Sequence, residues 1–571
     1  MPKLKPSPAI TGITAYSVPR PEIPVDLYLH GNEGPAPTDT VLDALGERGV
    51  DLLRDYPNAK PLEELIAERE GVDREQVIVT AGADDALDRI CRALLAPGRN
   101  MVLPEPTFVM FRRFAARAGG EVVSVPWEGP EYPTEAVLDA IDDQTTLVAI
   151  VSPNNPTGAV ATADDVRRIA EAAPHALVIV DHAYVEFGEE NLTQVALEYP
   201  NTVVTRTMSK AWGMAGVRVG YALSSPQVID WMHTAGLPYA VSGPSLAFVA
   251  RRLEEGDARV ASFVERVKEE RGALEARLSE AGLRVTPSQG NFVFARTDDA
   301  LWVRDALAGM GIMVRAFPGN ELLDDALRIT CPGDEANFER LQHAIDTIFA
   351  PESILFDLDG VLADVSQSYR KSIVATAESF GVELTPEDIS EAKAAGDANN
   401  DWILTRRMLA ERGVEASLDE VTERFEQIYQ GTEEEPGLRR TESLLCESQY
   451  LASLAERYKL GIVTGRPRKD AERFLSEKGI AEYFGAVVCM EDAKLKPDPE
   501  PVELLLEGLD ARTGWLVGDT PDDAKAARGA RVLPIGMIAP GHDHNVLEPA
   551  LTRSGCAVVL HGVDELEEYL P

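Results

Sequence analysis

The chain has 571 residues, 44% hydrophobic and 26% charged, with 55 basic against 95 acidic side chains and a net charge of −40 at pH 7. That length predicts three or four compact units, and no apolar run approaches the roughly 18 residues needed to cross a bilayer, which excludes a membrane span. The acidic excess runs along the whole chain and would repel a polyanion, which excludes nucleic acid as a partner and obliges any site for an anionic substrate to supply its own cations.

At the N-terminus, Met1 to Pro8 has two lysines but no apolar stretch behind them, so it does not read as a signal peptide. Apolar strand-like runs then alternate with helical stretches: Val77 to Thr80, Met101 to Leu103, Leu147 to Val151, Ala176 to Val180 and Thr202 to Thr205. This is an α/β pattern with a largely buried sheet. At Phe349-Ala350-Pro351-Glu352 a helix is expected to stop, because Pro351 cannot continue it, and a strand, Ser353 to Phe356, follows at once. A second α/β segment runs on to Pro571, with strands at Leu460 to Val463, Ala486 to Val488, Gly514 to Val517 and Val532 to Ile535. Five cysteines (Cys91, Cys331, Cys446, Cys489, Cys556) form no CxxC pair, which argues against a disulfide framework or a zinc site, and with no signal peptide read at the N-terminus a cytoplasmic location is expected. Only 13 of the basic residues are lysine, a balance suited to a salt-rich cytoplasm.

Lys210 is the only lysine between positions 61 and 267. It follows a strand and a hydroxyl-bearing turn (Thr207-Met208-Ser209) and precedes Gly216-Val217-Arg218, so it could bond covalently to an aldehyde while Ser209 and Arg218 hold a phosphate. Alone, it reads as readily as a solvated loop lysine. Asn154-Asn155-Pro156-Thr157-Gly158 also follows a strand, Asp181 and Tyr184 follow another, 26 positions beyond Asn155, and Lys210 comes 29 positions after Asp181. An electron-sink cofactor with a pyridine nitrogen and a phenolic oxygen needs a carboxylate at the first and donors at the second. Asp181 suits the first task, Asn155 and Tyr184 the second.

With these residues in hand, 1 to about 350 resembles a fold type I pyridoxal phosphate aminotransferase, closest to histidinol-phosphate aminotransferases. The resemblance also includes Leu29-His30-Gly31-Asn32-Glu33-Gly34-Pro35, Tyr56-Pro57, Gly82-Ala83-Asp84-Asp85, Pro106-Thr107-Phe108 and Leu327-Arg328-Ile329-Thr330. It implies that Ala83 and Asp84 lend backbone amides at a helix start to the cofactor phosphate, that Phe108 stacks on its ring, and that Tyr56 reaches the phosphate of the other subunit of a homodimer. Arg328 would take the substrate carboxylate or its equivalent, Arg315 a substrate phosphate, and Tyr16 would correspond to a substrate-contacting tyrosine. The large domain would span about 45–285, the small domain the N-terminal arm and about 286–350. The chain departs from the family's usual Asn-x-Asn-Glu-Asn run at His30 and Gly34, and from its Asp-Glu-Ala-Tyr at His182, read as a packing or hydrogen-bonding substitution.

Ser353-Ile354-Leu355-Phe356-Asp357-Leu358-Asp359-Gly360-Val361 is an apolar strand ending in two acids one residue apart. Residues i and i+2 of a strand share a side, so both carboxylates can address one centre, one attacking phosphorus and the other protonating the leaving oxygen. Val463-Thr464-Gly465, Lys496-Pro497 and Gly518-Asp519-Thr520-Pro521-Asp522-Asp523 follow in order. Together these four segments resemble the haloacid dehalogenase superfamily over about 353–571. The resemblance makes Asp357 the nucleophile, Asp359 the general acid and base, Thr464 and Lys496 the phosphate anchors, and Asp357, Asp359, Asp519 and Asp523 the magnesium site. An all-oxygen set is suited to that ion. The stretch from Asp364 to Thr464 is 100 positions long and helical in pattern, against 32 from Thr464 to Lys496, which places a helical cap at about 366–445 and favours small, diffusible phosphate esters.

The expected fold class is α/β: a PLP-dependent aminotransferase of fold type I with large and small domain, then a Rossmann-like haloacid dehalogenase domain with a helical cap. The expected enzyme is bifunctional. It transaminates imidazole acetol phosphate with glutamate and hydrolyses the histidinol phosphate formed. The alternatives are another amino or phosphate-ester substrate for either half, or a second half that serves only oligomerisation.

Overall fold

The computed structural model describes residues 6–571 apart from 12, 14, 18, 19, 21, 397–399, 433 and 434; the first five residues, read above for a signal, lie outside it. Two compact units form, fewer than length alone predicts, because each is organised on a long, largely parallel sheet: the described residues of 1–18, 29–300 and 314–338 in one, and those of 19–28, 301–313 and 339–571 in the other.

The first unit holds a seven-stranded sheet in the order Val77–Thr80, Gly220–Ser224, Thr202–Thr207, Leu177–Asp181, Thr145–Val151, Asn100–Glu105, Glu121–Pro126. Only Gly220–Ser224 runs antiparallel to its neighbours. Its central strands are buried along their length, which is why they read as continuous apolar runs without alternation. Ile78, Leu87, Ile90, Met101, Leu147 and Ile179 belong to the core that packs helix Ala83–Leu94 on this sheet. A four-stranded antiparallel sheet, Arg315–Ala316, Ala326–Thr330, Phe292–Arg296 and Arg284–Thr286, completes the unit.

The second unit is built on a six-stranded parallel sheet in the order Phe484–Val488, Lys459–Val463, Ser353–Phe356, Gly514–Gly518, Leu533–Met537, Val559–Leu560. Helices Tyr369–Ser379, Pro386–Ala394, Asp401–Glu411 and Leu418–Gln430 lie in the inserted stretch, and Ala363–Asp364 pairs with Ser443–Leu444 where the chain leaves and rejoins the sheet domain. Helix Glu335–Phe349 stops where Pro351 requires and the strand starts at Ser353. This unit nevertheless reaches upstream of that point. Trp515, fully buried, packs on Trp302 at 5.6 Å and donates its indole N–H to the Thr347 carbonyl at 2.6 Å. Arg528 donates to the carbonyls of Gly309 at 3.0 Å and Pro24 at 2.9 Å.

Candidate active sites

Three neighbouring parallel strands end at the first site. Thr145–Val151 leads to Asn155, Leu177–Asp181 carries Asp181 as its last residue, and Thr202–Thr207 leads to Ser209 and Lys210. Loops that leave the carboxyl ends of adjacent parallel strands open on one edge, which brings residues distant in sequence together. Lys210 Nζ donates to the Gly31 carbonyl at 2.9 Å and lies 5.6 Å from the centre of the Tyr184 ring. Asp181 is buried, and its Oδ1 accepts from the Thr205 hydroxyl at 3.0 Å. Burial pushes its carboxyl up to about 6, against the pull of the Thr205 hydrogen bond, with Asp84 adding to the rise. A buried acid of this kind is a ready partner for a ring N–H⁺.

Tyr184 accepts at its hydroxyl from Asn32 Nδ2 at 3.0 Å. Asn32 is wholly buried and tied to Thr330, whose hydroxyl donates to Asn32 Oδ1 at 2.8 Å. Ala83 opens helix Ala83–Leu94, and Gly82 before it has φ +83°. The positive φ favours glycine at this position, and a Cβ there would lie 2.7 Å from Arg218 Nη2, so a larger residue would also displace the guanidinium tip. Asp84 Oδ2 lies 3.4 Å from the same nitrogen; burial raises the Asp84 carboxyl, and Arg218 and Lys210 lower it. Ser209, buried, accepts at Oγ from Thr207 at 2.9 Å. Amides at a helix start, a guanidinium and a hydroxyl are donors of the kind that a phosphate needs. Phe108 is half-buried against the main core.

Arg328 is buried, donates to Asn155 Oδ1 and the His30 carbonyl, and lies 5.5 Å from the centre of the Phe292 ring. Arg315 stands opposite it on the adjacent antiparallel strand. Its Nη1 is buried without a hydrogen-bond partner, and burial lowers both guanidinium pKa values. Tyr16 is exposed, with Arg113 5.6 Å from its ring centre. Tyr56 is 81% exposed and stacked on Tyr239 at 4.7 Å.

His182 is spent on the backbone: Nδ1 pairs with the Ser152 carbonyl at 2.6 Å and Nε2 accepts from the Leu192 N–H at 3.0 Å, while burial pushes its pKa down to about 3. Gly34 has a steric origin. A Cβ there would lie 1.8 Å from the Lys210 carbonyl oxygen, so an asparagine cannot be accommodated on this backbone.

The second site is also at strand ends: Asp357 after Ser353–Phe356, Thr464 after Lys459–Val463, Asp519 after Gly514–Gly518. Lys496 Nζ donates to Asp357 Oδ1 at 2.7 Å, to the Val463 carbonyl at 3.2 Å and to Asp523 Oδ1. Thr464 is buried, its hydroxyl accepting from the Arg466 N–H at 3.2 Å. One oxygen each of Asp357, Asp519 and Asp523 lie within 4.8 Å of one another. Burial pushes Asp357 up to about 8, against Lys496 and with the other acids, and Asp519 up to about 6. Asp519 Oδ2 is buried without a hydrogen-bond partner. Three crowded buried carboxylates with an orphaned oxygen fit a hard divalent cation. The Asp359 carboxylate is outside this cluster and is held by Arg466, through Nε at 2.7 Å and Nη2 at 2.5 Å.

Sequence reasoning did not assign Arg466, Glu442, Arg370 or Lys393. Arg466 follows the Thr464-Gly465 turn directly, which was a signal available in the sequence. Arg370 and Lys393 lie on helices Tyr369–Ser379 and Pro386–Ala394 and are buried. Arg370 Nε and Nη2 have no hydrogen-bond partner, and Lys393 Nζ lies 4.0 Å from Asp519 Oδ2.

Residues 28–345 match the family described as aminotransferase class I and II, and residues 354–537 match haloacid dehalogenase-like hydrolase. The chain is 35% identical over 349 residues to histidinol-phosphate aminotransferase 2 of Pseudomonas fluorescens, covering 58% of this chain and 93% of that protein. It is 42% identical over 237 residues to a protein of Phytophthora nicotianae named imidazoleglycerol-phosphate dehydratase, covering 38% of this chain and about half, 52%, of that protein. Among solved structures, histidinol-phosphate aminotransferase from Sinorhizobium meliloti in complex with pyridoxal-5'-phosphate aligns with a TM-score of 0.53 at 24% identity, over 59% of this chain and 96% of that one, a likeness of fold. No helix among the described residues is long and apolar enough to cross a membrane. The chain belongs to the class I and II aminotransferase family and carries behind that domain a haloacid dehalogenase-like hydrolase domain, so that one polypeptide is both an aminotransferase and a phosphatase.

Proposed function

We propose that the first site transaminates imidazole acetol phosphate with glutamate and that the second hydrolyses the histidinol phosphate produced. The observation that carries the first half is the pairing of Lys210 and Arg328 with adjacent main-chain carbonyls, those of Gly31 and His30. A lysine able to shuttle a proton and an arginine able to hold an anion therefore stand one peptide apart.

Pyridoxal phosphate, when bound, supplies the electron sink for breaking a C–H bond next to nitrogen. Asp181 would hold the proton on its ring nitrogen, Asn155 and Tyr184 would hydrogen-bond its phenolic oxygen, and Ser209, Arg218 and the amides of Ala83 and Asp84 would hold its phosphate beneath Phe108. Lys210 Nζ takes the proton from the substrate carbon that bears the amino group and returns it in the reverse half-reaction. Arg328 binds the glutamate carboxylate or its equivalent in the phosphorylated substrate, and Arg315 helps to hold the substrate phosphate. Tyr56 acts in the partner subunit's site. A homodimer is supported by exposed apolar side chains: Tyr56 and Tyr239, stacked on each other, and Leu42 and Leu53, on segments Asp39–Asp43 and Asp51–Arg54 that contact helix Gly243–Glu254.

In the second site Asp357 attacks phosphorus, the bond to the leaving oxygen breaks, and Asp359 gives that oxygen its proton. Asp359 then takes a proton from the water that cleaves the phosphate from Asp357. Magnesium, held by Asp357, Asp519 and Asp523, would neutralise the phosphate, with Thr464 and Lys496 as further anchors. Four buried cysteines without disulfides fit a cytoplasmic setting. On this reading the aminotransferase sequence ends and the phosphatase sequence begins at about 350, although the described residues of 19–28, 301–313 and 339–349 pack with the second unit.

Arg370 and Lys393 favour a second reading of the phosphatase half, because two buried cations beside the acid cluster would suit an ester with another anionic group. The test compares phosphate release from histidinol phosphate with release from carboxylated and doubly phosphorylated esters. Preference for the latter favours the second reading.

A further inference from the structure

Arg466 is fully buried in the second unit, yet none of the roles above uses it. Its guanidinium reaches two carboxylates at once. Nε and Nη2 hold Asp359 Oδ1 at 2.7 and 2.5 Å, and Nη1 and Nη2 hold Glu442 Oε2 and Oε1 at 3.0 and 3.3 Å. Only a planar fork of five donors can do this from one side chain. The ring centres of Tyr369 and Phe474 lie 4.9 and 5.3 Å from the guanidinium carbon.

Glu442 adjoins Ser443–Leu444, where the chain rejoins the sheet domain, and Ser368 lies just beyond Ala363–Asp364, where it departs. Both the Ser368 and Tyr429 hydroxyls donate to Glu442 Oε1 at 3.0 Å. Arg466 therefore joins three things: the phosphate-anchoring turn at Thr464, the carboxylate of Asp359, and the base of the inserted helices.

We propose that Arg466 is a positioning residue for proton transfer, holding Asp359 by Oδ1 so that Oδ2 faces the ester oxygen. This deepens the phosphatase reading above and rests on it. In the first step the P–O bond to the alcohol breaks as Asp357 bonds to phosphorus, and the proton on Asp359 Oδ2 passes to the departing oxygen. In the second, that carboxylate takes a proton from the attacking water, phosphate leaves Asp357, and both acids return to their starting state. Glu442 matters as the second tooth of the fork. If it no longer holds Arg466, the guanidinium is free to turn and Asp359 loses its fixed angle.

The consequence depends on the leaving group. An alkoxide must be protonated as it leaves, whereas p-nitrophenolate leaves as the anion. General acid–base help is worth on the order of 100-fold or more. The test measures kcat and KM with magnesium for histidinol phosphate and p-nitrophenyl phosphate in wild-type full-length protein, in Arg466→Lys, and in Arg466→Met with Glu442→Gln. The double variant removes the guanidinium together with the deeply buried Glu442 charge, and the Asp359 side chain, 22% exposed, keeps access to water. The expected result is a kcat lower by about 100-fold for the alkyl ester in the double variant, with KM nearly unchanged, a change of about threefold or less for the aryl ester, and partial recovery in Arg466→Lys. Equal losses for both esters in a variant with wild-type circular dichroism and thermal midpoint, or no loss for either, overturn the proposal. If the double variant does not fold, the same split is scored in Arg466→Lys, where equal rates or equal losses overturn it. If wild-type protein ignores histidinol phosphate, glycerol 3-phosphate is the alkyl probe. Failure of wild-type protein on p-nitrophenyl phosphate would count against the phosphatase reading itself.

Discussion

Arg315 and Arg328 stand directly opposite each other on adjacent antiparallel strands, in register with no residue between them. Like charges so placed destabilise a sheet unless something anionic is shared between them. In a chain of net charge −40 this pair concentrates positive charge where an anionic substrate is to be held.

Arg328→Ala is therefore expected to weaken binding of both amino substrates by about 2 to 5 kcal/mol while cofactor is retained. Arg315→Ala should weaken the phosphorylated substrate and spare glutamate. Stopped-flow measurement of each half-reaction separates the two. Loss of bound cofactor from Arg328→Ala would mean that the arginine serves the cofactor and not the substrate.

Lys210→Ala should remove transamination and the visible absorption of the bound cofactor, and leave magnesium-dependent phosphatase activity at the wild-type level. The two sites are built on separate sheets, so their chemistry should separate. Loss of both activities in a folded variant would contradict this.

The phosphatase acids give a pH-dependent prediction. Asp519 and Asp357 have folded pKa values raised to about 6 and about 8, from an ordinary value of 3.8, with burial the leading cause. In metal-free protein their contribution to stability is present in full below about 4 and is lost as pH rises, through about 6 and then about 8. Magnesium binds the ionised form, so its stabilisation should grow over that window, reaching about 2.7 kcal/mol at 100 times its Kd. Thermal midpoints with magnesium and with chelator at pH 5 and pH 8 check this, and an equal gain at both would contradict it.

Much of this was legible in the sequence, for a physical reason. The strands Val77–Thr80 and Ser353–Phe356 and the helix Leu418–Gln430 lie at their expected residues, because buried parallel strands leave unbroken apolar runs and the helix has a Ser417–Glu420 capping box. The strand Glu121–Pro126 was not foreseen. It is an edge strand, only partly buried, and its apolar signal is weak. The structure gathers Lys210, Asp181, Tyr184 and Arg328 into one site and Asp357, Lys496, Asp519 and Asp523 into another. Asn32 and Thr205 work through partners far off in sequence, and although its place after Thr464-Gly465 puts Arg466 near the site, nothing local shows that it joins two distant carboxylates. Gly34 is similar. Its role follows from the approach of the Lys210 backbone, and Gly34→Asn should cost about 1 to 3 kcal/mol of stability together with cofactor affinity, measured by thermal unfolding and cofactor titration. Unchanged values would show that the His30–Pro35 segment can shift away.

The most direct test of the two-step reading supplies imidazole acetol phosphate, glutamate and magnesium to wild-type protein and to Asp357→Asn, and follows 2-oxoglutarate, histidinol phosphate, histidinol and inorganic phosphate together. The expected result is equal 2-oxoglutarate formation by both, with histidinol and phosphate released by the wild type and histidinol phosphate accumulating with the variant. If the wild type also accumulates histidinol phosphate while readily cleaving other small phosphate esters, the two activities do not act in sequence and the central claim fails.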